Sequence, residues 1–272
     1  MLRILTVTLF VMTGSASALA ADETPSPDYQ KHCAECHGAD RLGAIGPALL
    51  PENLRRLRKK KAAGVIANGR PASQMPAFGK VMSKDQIAAL VGLVYTPLPS
   101  IPIWGEIQIS ASHVEHVAMN DLPDKPGFKA DPLNLFTVVE TGDHHATILD
   151  GDRFEPLARF ATRFAVHGGA KYSPDGRFMY LASRDGWVSK YDLWSLQVVS
   201  EIRAGINTRN VAVSSDGKTL MVGNTLPHTI VALSAETLKP LQVIEVKDKH
   251  GVSSRVSAVY NAPPRNSFVA AL

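Results

Sequence analysis

Ser173-Pro174-Asp175-Gly176-Arg177-Phe178-Met179-Tyr180-Leu181 recurs 41 residues on as Ser214-Ser215-Asp216-Gly217-Lys218-Thr219-Leu220-Met221-Val222. Each copy is a Ser-x-Asp-Gly turn followed by a largely apolar run, the pattern of a tight turn feeding a buried strand. The offset persists: residues 188–193 align with 229–234, and 198–202 with 243–246 within a few positions. One unit is thus a strand, an Asp-Gly turn, a buried strand, a second turn and further strands. A period of about 40 residues is that of a four-stranded propeller blade. A sandwich would not keep so constant an offset. Residues 104–272 have room for about four blades. The chain stops on the apolar run 267–272, an open strand edge of the kind proteins avoid, so a longer chain of which this is the N-terminal portion is expected.

Towards the N-terminus the repeat gives way to short β-rich stretches at 107–109, 136–140 and 146–149, with turns such as Asp150-Gly151-Asp152. Pro97, Pro99 and Pro102 mark a stiff linker over residues 97–103. Before it the pattern is helical. Ser83 precedes a helix with Gln86 three positions on, a capping box, and Ile87, Leu90, Val91 and Val94 form its apolar stripe.

The chain has only two cysteines, in Cys33-Ala34-Glu35-Cys36-His37. A disulfide between them would close too small a ring to staple much structure. C-x-x-C-H is the attachment sequence for c-type heme: two thiols one helical turn apart reach the two porphyrin vinyl groups, and the next residue offers an imidazole to the iron. A redox C-x-x-C pair would sit in a βαβ pattern, and a zinc site would need a second ligand pair. Neither pattern is found here. Heme c at Cys33, Cys36 and His37 implies electron transfer.

Residues 1–20 read as an export signal. Arg3 supplies the charge, residues 4–12 the apolar core, and Ala18-Leu19-Ala20 the cleavage site. The mature chain is expected to begin near Ala21, in the periplasm, with no membrane span after cleavage. A net charge of +4 is too mild for a protein built on phosphate contacts, so nucleic acid is not an expected partner. Arg55-Arg56-Leu57-Arg58-Lys59-Lys60-Lys61 reads either as a solvated helix face or as a docking patch for an acidic periplasmic redox protein.

After the C-x-x-C-H come Asn68-Gly69-Arg70, then Met75-Pro76-Ala77-Phe78, then the last helix, and in this residues 21–96 resemble class I cytochrome c. In that all-α family the Met of M-P-x-F is the second axial ligand, and Met75 is the matching residue. Met82 is the next candidate, and His32 a distant third, read as solvent-facing.

A signal, a cytochrome c and a propeller together resemble the cytochrome cd1 family of denitrifying bacteria. Ser183-Arg184-Asp185-Gly186-Trp187, Tyr191-Asp192-Leu193-Trp194 and Ile206-Asn207-Thr208-Arg209-Asn210-Val211 carry the likeness over nearly all the mature chain. Gly142-Asp143-His144-His145-Ala146-Thr147 and Asp150-Gly151-Asp152-Arg153-Phe154 look most like its NirN branch, the dihydro-heme d1 dehydrogenases. The resemblance implies a propeller of about eight blades in full, binding heme d1 or dihydro-heme d1. It places His167 at the proximal iron ligand, with Gly168-Gly169 leaving room for a macrocycle, and Arg184 and Arg209 opposite its carboxylates. Arg163 is a weaker candidate, and His144 and His145 read as turn residues or site-lining groups. The distal acid/base groups are expected beyond Leu272. Two rival readings stand beside oxidation of dihydro-heme d1 with electrons passed to heme c: a nitrite reductase, and a non-catalytic electron-transfer cytochrome with a docking propeller.

Overall fold

A computed structural model describes residues 26–100 and 102–272. The export signal lies outside the described residues.

The first part is helical. Two short helices, α1 (Pro27–His32) and α2 (Ala34–His37), meet at Cys33, and α3 (Lys59–Asn68) and α4 (Lys84–Val94) follow. Ser83 Oγ accepts from the Gln86 amide and the Gln86 side chain accepts from the Ser83 amide, so α4 starts on the reciprocal cap its sequence encodes. Ile87, Leu90, Val91 and Val94 are its buried residues. Three of these pack with Tyr29 and Met82, with Cys33, Leu49, Ile66 and Phe78 closing around them. The basic run is not one helix face. Arg55 and Arg56 lie in a turn, Leu57 in a bend and Arg58 at the extended N-cap, and only Lys59, Lys60 and Lys61 enter α3.

The apolar-polar-apolar stretch 107–109, expected as a strand, lies instead in helix α5 (Glu106–Ala111). In a strand Ile107 and Ile109 would share a face. Here Ile109 is fully buried and Ile107 is 80% exposed, and Gln108 Oε1 caps the Gly105 amide at 3.0 Å.

Among the described residues the remainder is four antiparallel sheets, which follow one another in chain order except that the early strand β1 joins the second. Strands β2 (Leu135–Glu140), β3 (His145–Asp150) and β4 (Pro156–Ala161) form the first. The second is ordered β1-β8-β7-β6-β5, from β1 (Val114–Glu115), β5 (Lys171–Tyr172), β6 (Phe178–Ala182), β7 (Trp187–Asp192) and β8 (Gln197–Arg203). The third is β12-β11-β10-β9, from β9 (Asn207–Val213), β10 (Thr219–Leu226), β11 (Thr229–Ser234) and β12 (Pro240–Glu245). Strands β13 (Ala258–Ala262) and β14 (Ser267–Ala271) pair as the fourth.

Successive sheets stack face to face. Ile148 and Phe160 meet Met179, Leu181 and Tyr191 between the first and second. Tyr180, Val188 and Ile202 meet Val211, Leu220 and Val231 between the second and third. Ala212 and Met221 meet Val259 and Phe268 between the third and fourth. The repeated turn has one design: Ser173 Oγ donates to Asp175 Oδ1, Ser183 Oγ to Asp185 Oδ1, and Ser214 Oγ to Asp216 Oδ1. Gly186, in the middle copy, has φ +96, and a Cβ there would lie 1.7 Å from the Gly205 carbonyl oxygen. Only glycine fits.

The helical part is fastened to the sheets by a small apolar cluster. Ala48 and Leu50 pack on Ile206 and Leu226, with Leu42, Leu98 and Trp104 around them.

Candidate functional site

Two sites emerge, one in each part. In the first, Cys33 and Cys36 are free, half-buried thiols, and the Cys33 carbonyl accepts the His37 amide at 2.9 Å. Burial pushes the Cys33 thiol up to about 11 and also raises Cys36. A reactive C-x-x-C pair has lowered thiols, so the redox-pair reading is disfavoured. His37 Nδ1 lies 2.8 Å from the Pro47 carbonyl oxygen. Nδ1–H therefore donates, and Nε2 keeps the free lone pair that a metal needs. Gly46 lies flat on the ring; a Cβ there would approach Cε1 and Nδ1 at 3.1 Å. Two thiols a turn apart and an imidazole of fixed tautomer fit covalent heme.

The two methionines differ. Met82 is 6% exposed inside the helical core. Met75 is half-buried on a loop pinned to Arg70 by paired backbone bonds of 2.8 and 3.2 Å. Gly69 makes that loop possible: with φ +67, its Cβ would lie 2.5 Å from the Met75 carbonyl oxygen. His32 is half-buried rather than solvent-facing, its ring meeting Phe78 edge-on at 5.8 Å.

The second site is built on a crossing between sheets. The His167 amide donates to Ala182 O at 2.8 Å, and Val166 bridges Ser183, which brings His167 beside Arg184 at the end of β6. Its ring then reaches β9. Nδ1 donates to the Arg209 carbonyl oxygen at 3.0 Å, and Nε2 lies 3.0 Å from Arg209 Nη1, whose N–H it accepts. Arg209 Nε donates to Ser257 O at 3.0 Å. Burial pushes the imidazole down, and the charges of Arg184, Arg209 and Arg56 add to this. Gly168, φ +86, is explained by the fold itself, because its Cβ would lie 2.7 Å from Asn210 Cβ. Around Gly169 the space is open.

The arginines separate cleanly. Arg163 holds Glu201 with bonds of 2.9 and 2.5 Å and stacks on Trp187 at 3.9 Å. Its charge is already answered, so it does not join the cluster at His167. Arg184 and Arg209 form no ion pair among the described residues. Burial lowers the Arg184 pKa, and repulsion from Arg56 and Arg209 lowers it further. Positive charges gathered without a protein carboxylate, beside an imidazole with an acceptor Nε2, fit an iron macrocycle bearing carboxylates. His144, at φ +59, turns the chain and packs on Phe164 at 5.1 Å; His145 opens β3 with Nδ1 2.9 Å from Asp143 O.

Sequence reasoning missed Asn210, which clamps β9 to β13 through both Val259 backbone groups at 2.8 and 2.9 Å. It also missed Arg203, taken up below.

Residues 130–272 match the family described as Cytochrome D1 heme domain, and residues 20–94 match Cytochrome C oxidase, cbb3-type, subunit III. The chain is 54% identical, over its full length, to a dihydro-heme d1 dehydrogenase of Pseudomonas aeruginosa, of which it covers 55%. It is 25% identical over 97% of its length to a nitrite reductase of Stutzerimonas stutzeri, covering 50% of that protein. A solved structure of the dihydro-heme d1 dehydrogenase NirN in complex with DHE superposes with a TM-score of 0.85 at 57% identity, over 90% of this chain and 52% of the other. The chain thus spans about half the length of these relatives. With its first, third and fourth sheets and all of the second except β1 inside the matched region, the chain belongs to the cytochrome d1 heme domain family.

Proposed function

We propose that this chain serves a periplasmic dihydro-heme d1 dehydrogenase, oxidising dihydro-heme d1 to heme d1 and passing the electrons through heme c to a periplasmic redox protein. In this reading residues 21–96 are a class I cytochrome c unit, 97–103 a linker, and 104–272 about four blades of a d1-type propeller. Among the described residues no helix is long and apolar enough to cross a membrane.

The observation that carries the proposal is His167 with its Nδ1–H tied to the Arg209 carbonyl, which makes Nε2 the lone-pair nitrogen, held here by Arg209 Nη1–H, beside two arginines with no carboxylate partner among the described residues. Cys33 and Cys36 supply the thiols that hold heme c, and His37 presents Nε2 to its iron while Pro47 O fixes the ring. Met75, on its pinned loop, is the second ligand. His167 would offer Nε2 to the tetrapyrrole iron once Arg209 Nη1 releases it, and Arg184 and the freed Nη1 of Arg209 would then hold its carboxylates. When bound, heme c supplies a one-electron acceptor and the tetrapyrrole a propionate oxidisable to an acrylate with loss of two electrons and two protons. The identity to the P. aeruginosa dehydrogenase, twice that to the nitrite reductase, favours this reading over nitrite reduction.

The test adds dihydro-heme d1 to the full-length, heme c-loaded protein and follows absorption. Conversion to heme d1 is expected, and His167→Ala should abolish the spectral change while sparing the heme c bands. Tight d1 binding with nitrite turnover would establish the reductase, and no binding would leave the docking module. Survival of the d1 change in His167→Ala would remove the ligand assignment.

A further inference from the structure

Arg203, the last residue of β8, is 8% exposed and joins the two parts of the molecule. Its Nη2 donates to Leu42 O at 2.5 Å, and its Nε donates to Asp185 O at 2.8 Å. The guanidinium lies 4.6 Å over the Trp104 ring, and Trp104 Nε1 donates back to Arg203 O at 2.9 Å. The Leu42–Gly43 peptide has a second partner: its N–H, on Gly43, donates to His37 O at 2.9 Å. One peptide is therefore shared between the residue that ligates heme c and the guanidinium. At the other end, Asp185 is the immediate neighbour of Arg184.

An unbroken series of peptide and guanidinium groups thus runs from His37 to the turn that carries Arg184. A buried guanidinium held mainly by carbonyls is a costly way to fill a junction, and apolar side chains of similar volume often do so with equal or greater stability. Placed here it has two electronic consequences. Electron tunnelling falls off less steeply through bonded and hydrogen-bonded groups than across gaps. A positive charge beside the heme c loop favours the ferrous state, which carries one positive charge fewer than the ferric.

We propose that Arg203 is a positioning residue that couples the two cofactor sites, carrying the path between them and holding the heme c potential up. The proposal rests on the function proposed above. Each step moves one electron from the tetrapyrrole at His167 to ferric heme c, giving ferrous heme c. Two such steps, with two protons released to solvent, complete one oxidation. A one-electron acceptor protein reoxidises heme c after each.

The experiment compares wild type, Arg203→Gln and Arg203→Lys as full-length, heme c-loaded proteins. Without tetrapyrrole, an optical redox titration reads heme c alone. Arg203→Gln should lower the reduced-to-oxidised ratio at fixed potential about tenfold, or 59 mV for a one-electron couple. Arg203→Lys, which keeps the charge, should stay within about threefold. After mixing with dihydro-heme d1, the heme c α band should rise about tenfold more slowly in both variants, with tetrapyrrole affinity unchanged. A wild-type ratio and rate in Arg203→Gln overturns the proposal, and so does a wild-type rate in Arg203→Lys should the Gln variant not fold. Failure of wild type to bind dihydro-heme d1 would instead sink the parent reading, with the potential still readable.

Discussion

Two neighbouring glycines near His167 show how little a residue's type says without its surroundings. Gly168 and Gly169 both have positive φ, +86 and +71, yet only Gly168 presses against a neighbour, the Asn210 side chain. Left-handed backbone costs a residue with a Cβ about 1–2 kcal/mol, and overpacking a further 1–3 kcal/mol. Gly168→Ala should therefore lose about 2–5 kcal/mol in urea denaturation, and Gly169→Ala about 1–2 kcal/mol. Equal losses would show that Asn210 yields freely. Asp185 is governed by burial in a different way. Its side chain is 1% exposed, and burial pushes its carboxyl from 3.8 up to about 6 against the pull of Ser183, Arg203 and Arg163. Between those values the folded chain holds a proton that the unfolded chain has lost, so stability falls as pH rises from about 4 to 6 and stays lower above. The cost at pH 8 is on the order of 3 kcal/mol. Asp185→Asn keeps an acceptor for Ser183 and removes the charge, so it should gain on wild type between pH 4 and 8. A pH-independent difference between the two would contradict this.

At the scale of the element, what was legible is what is local. C-x-x-C-H spans five residues, the α4 cap four, and each Ser-x-Asp-Gly turn four, so their partners lie within one helical turn or hairpin. Residues 107–109 misled because a three-residue alternation suits a strand as well as one helical turn with a single buried side, and only the packing of Ile109 decides. Contacts between elements were not legible. Arg203 and Leu42 are 161 residues apart with no periodicity to connect them, and His167 and Arg209, 42 apart and thus within one position of the repeat, are related by an offset that does not say their side chains meet. The resemblance named His167 and Arg209 as neighbours of one ligand, but not their bonds to each other. Strand β9 shows the energetic side of such contacts. Asn210 satisfies both backbone groups of Val259, which is fully buried on β13. A buried group left unpaired costs about 1–3 kcal/mol. Asn210→Ala should accordingly cost about 2–6 kcal/mol and raise amide exchange at Val259 more than at Val231, within the third sheet. Uniform exchange across both sheets would mean that the clamp is not local.

For the whole molecule the question is whether the helical part and the sheets unfold as one. The cluster joining them is small but dry: Ala48 and Ile206 are fully buried and Leu50 is 1% exposed. Arg203 and the Gln74 bond to Asp143 O at 3.1 Å add polar ties. A buried Leu→Ala change costs about 2–5 kcal/mol, a large part of the stability of an ordinary domain. In Leu50→Ala that loss falls on the junction rather than inside either core, which changes cooperativity as well as the midpoint. Wild type should show one urea transition, with heme absorption reporting the helical part and fluorescence from Trp187 and Trp194 reporting the sheets. Leu50→Ala should split the two probes, whereas Leu241→Ala, at a residue 60% exposed on β12, should move neither by more than about 0.5 kcal/mol. Coincident probes at an unshifted midpoint in Leu50→Ala would mean that the polar ties alone hold the parts together. In that event Arg203→Gln should separate the transitions instead, because Arg203 and Leu50 lie on the same seam and one of them must transmit the stability of the sheets to the heme.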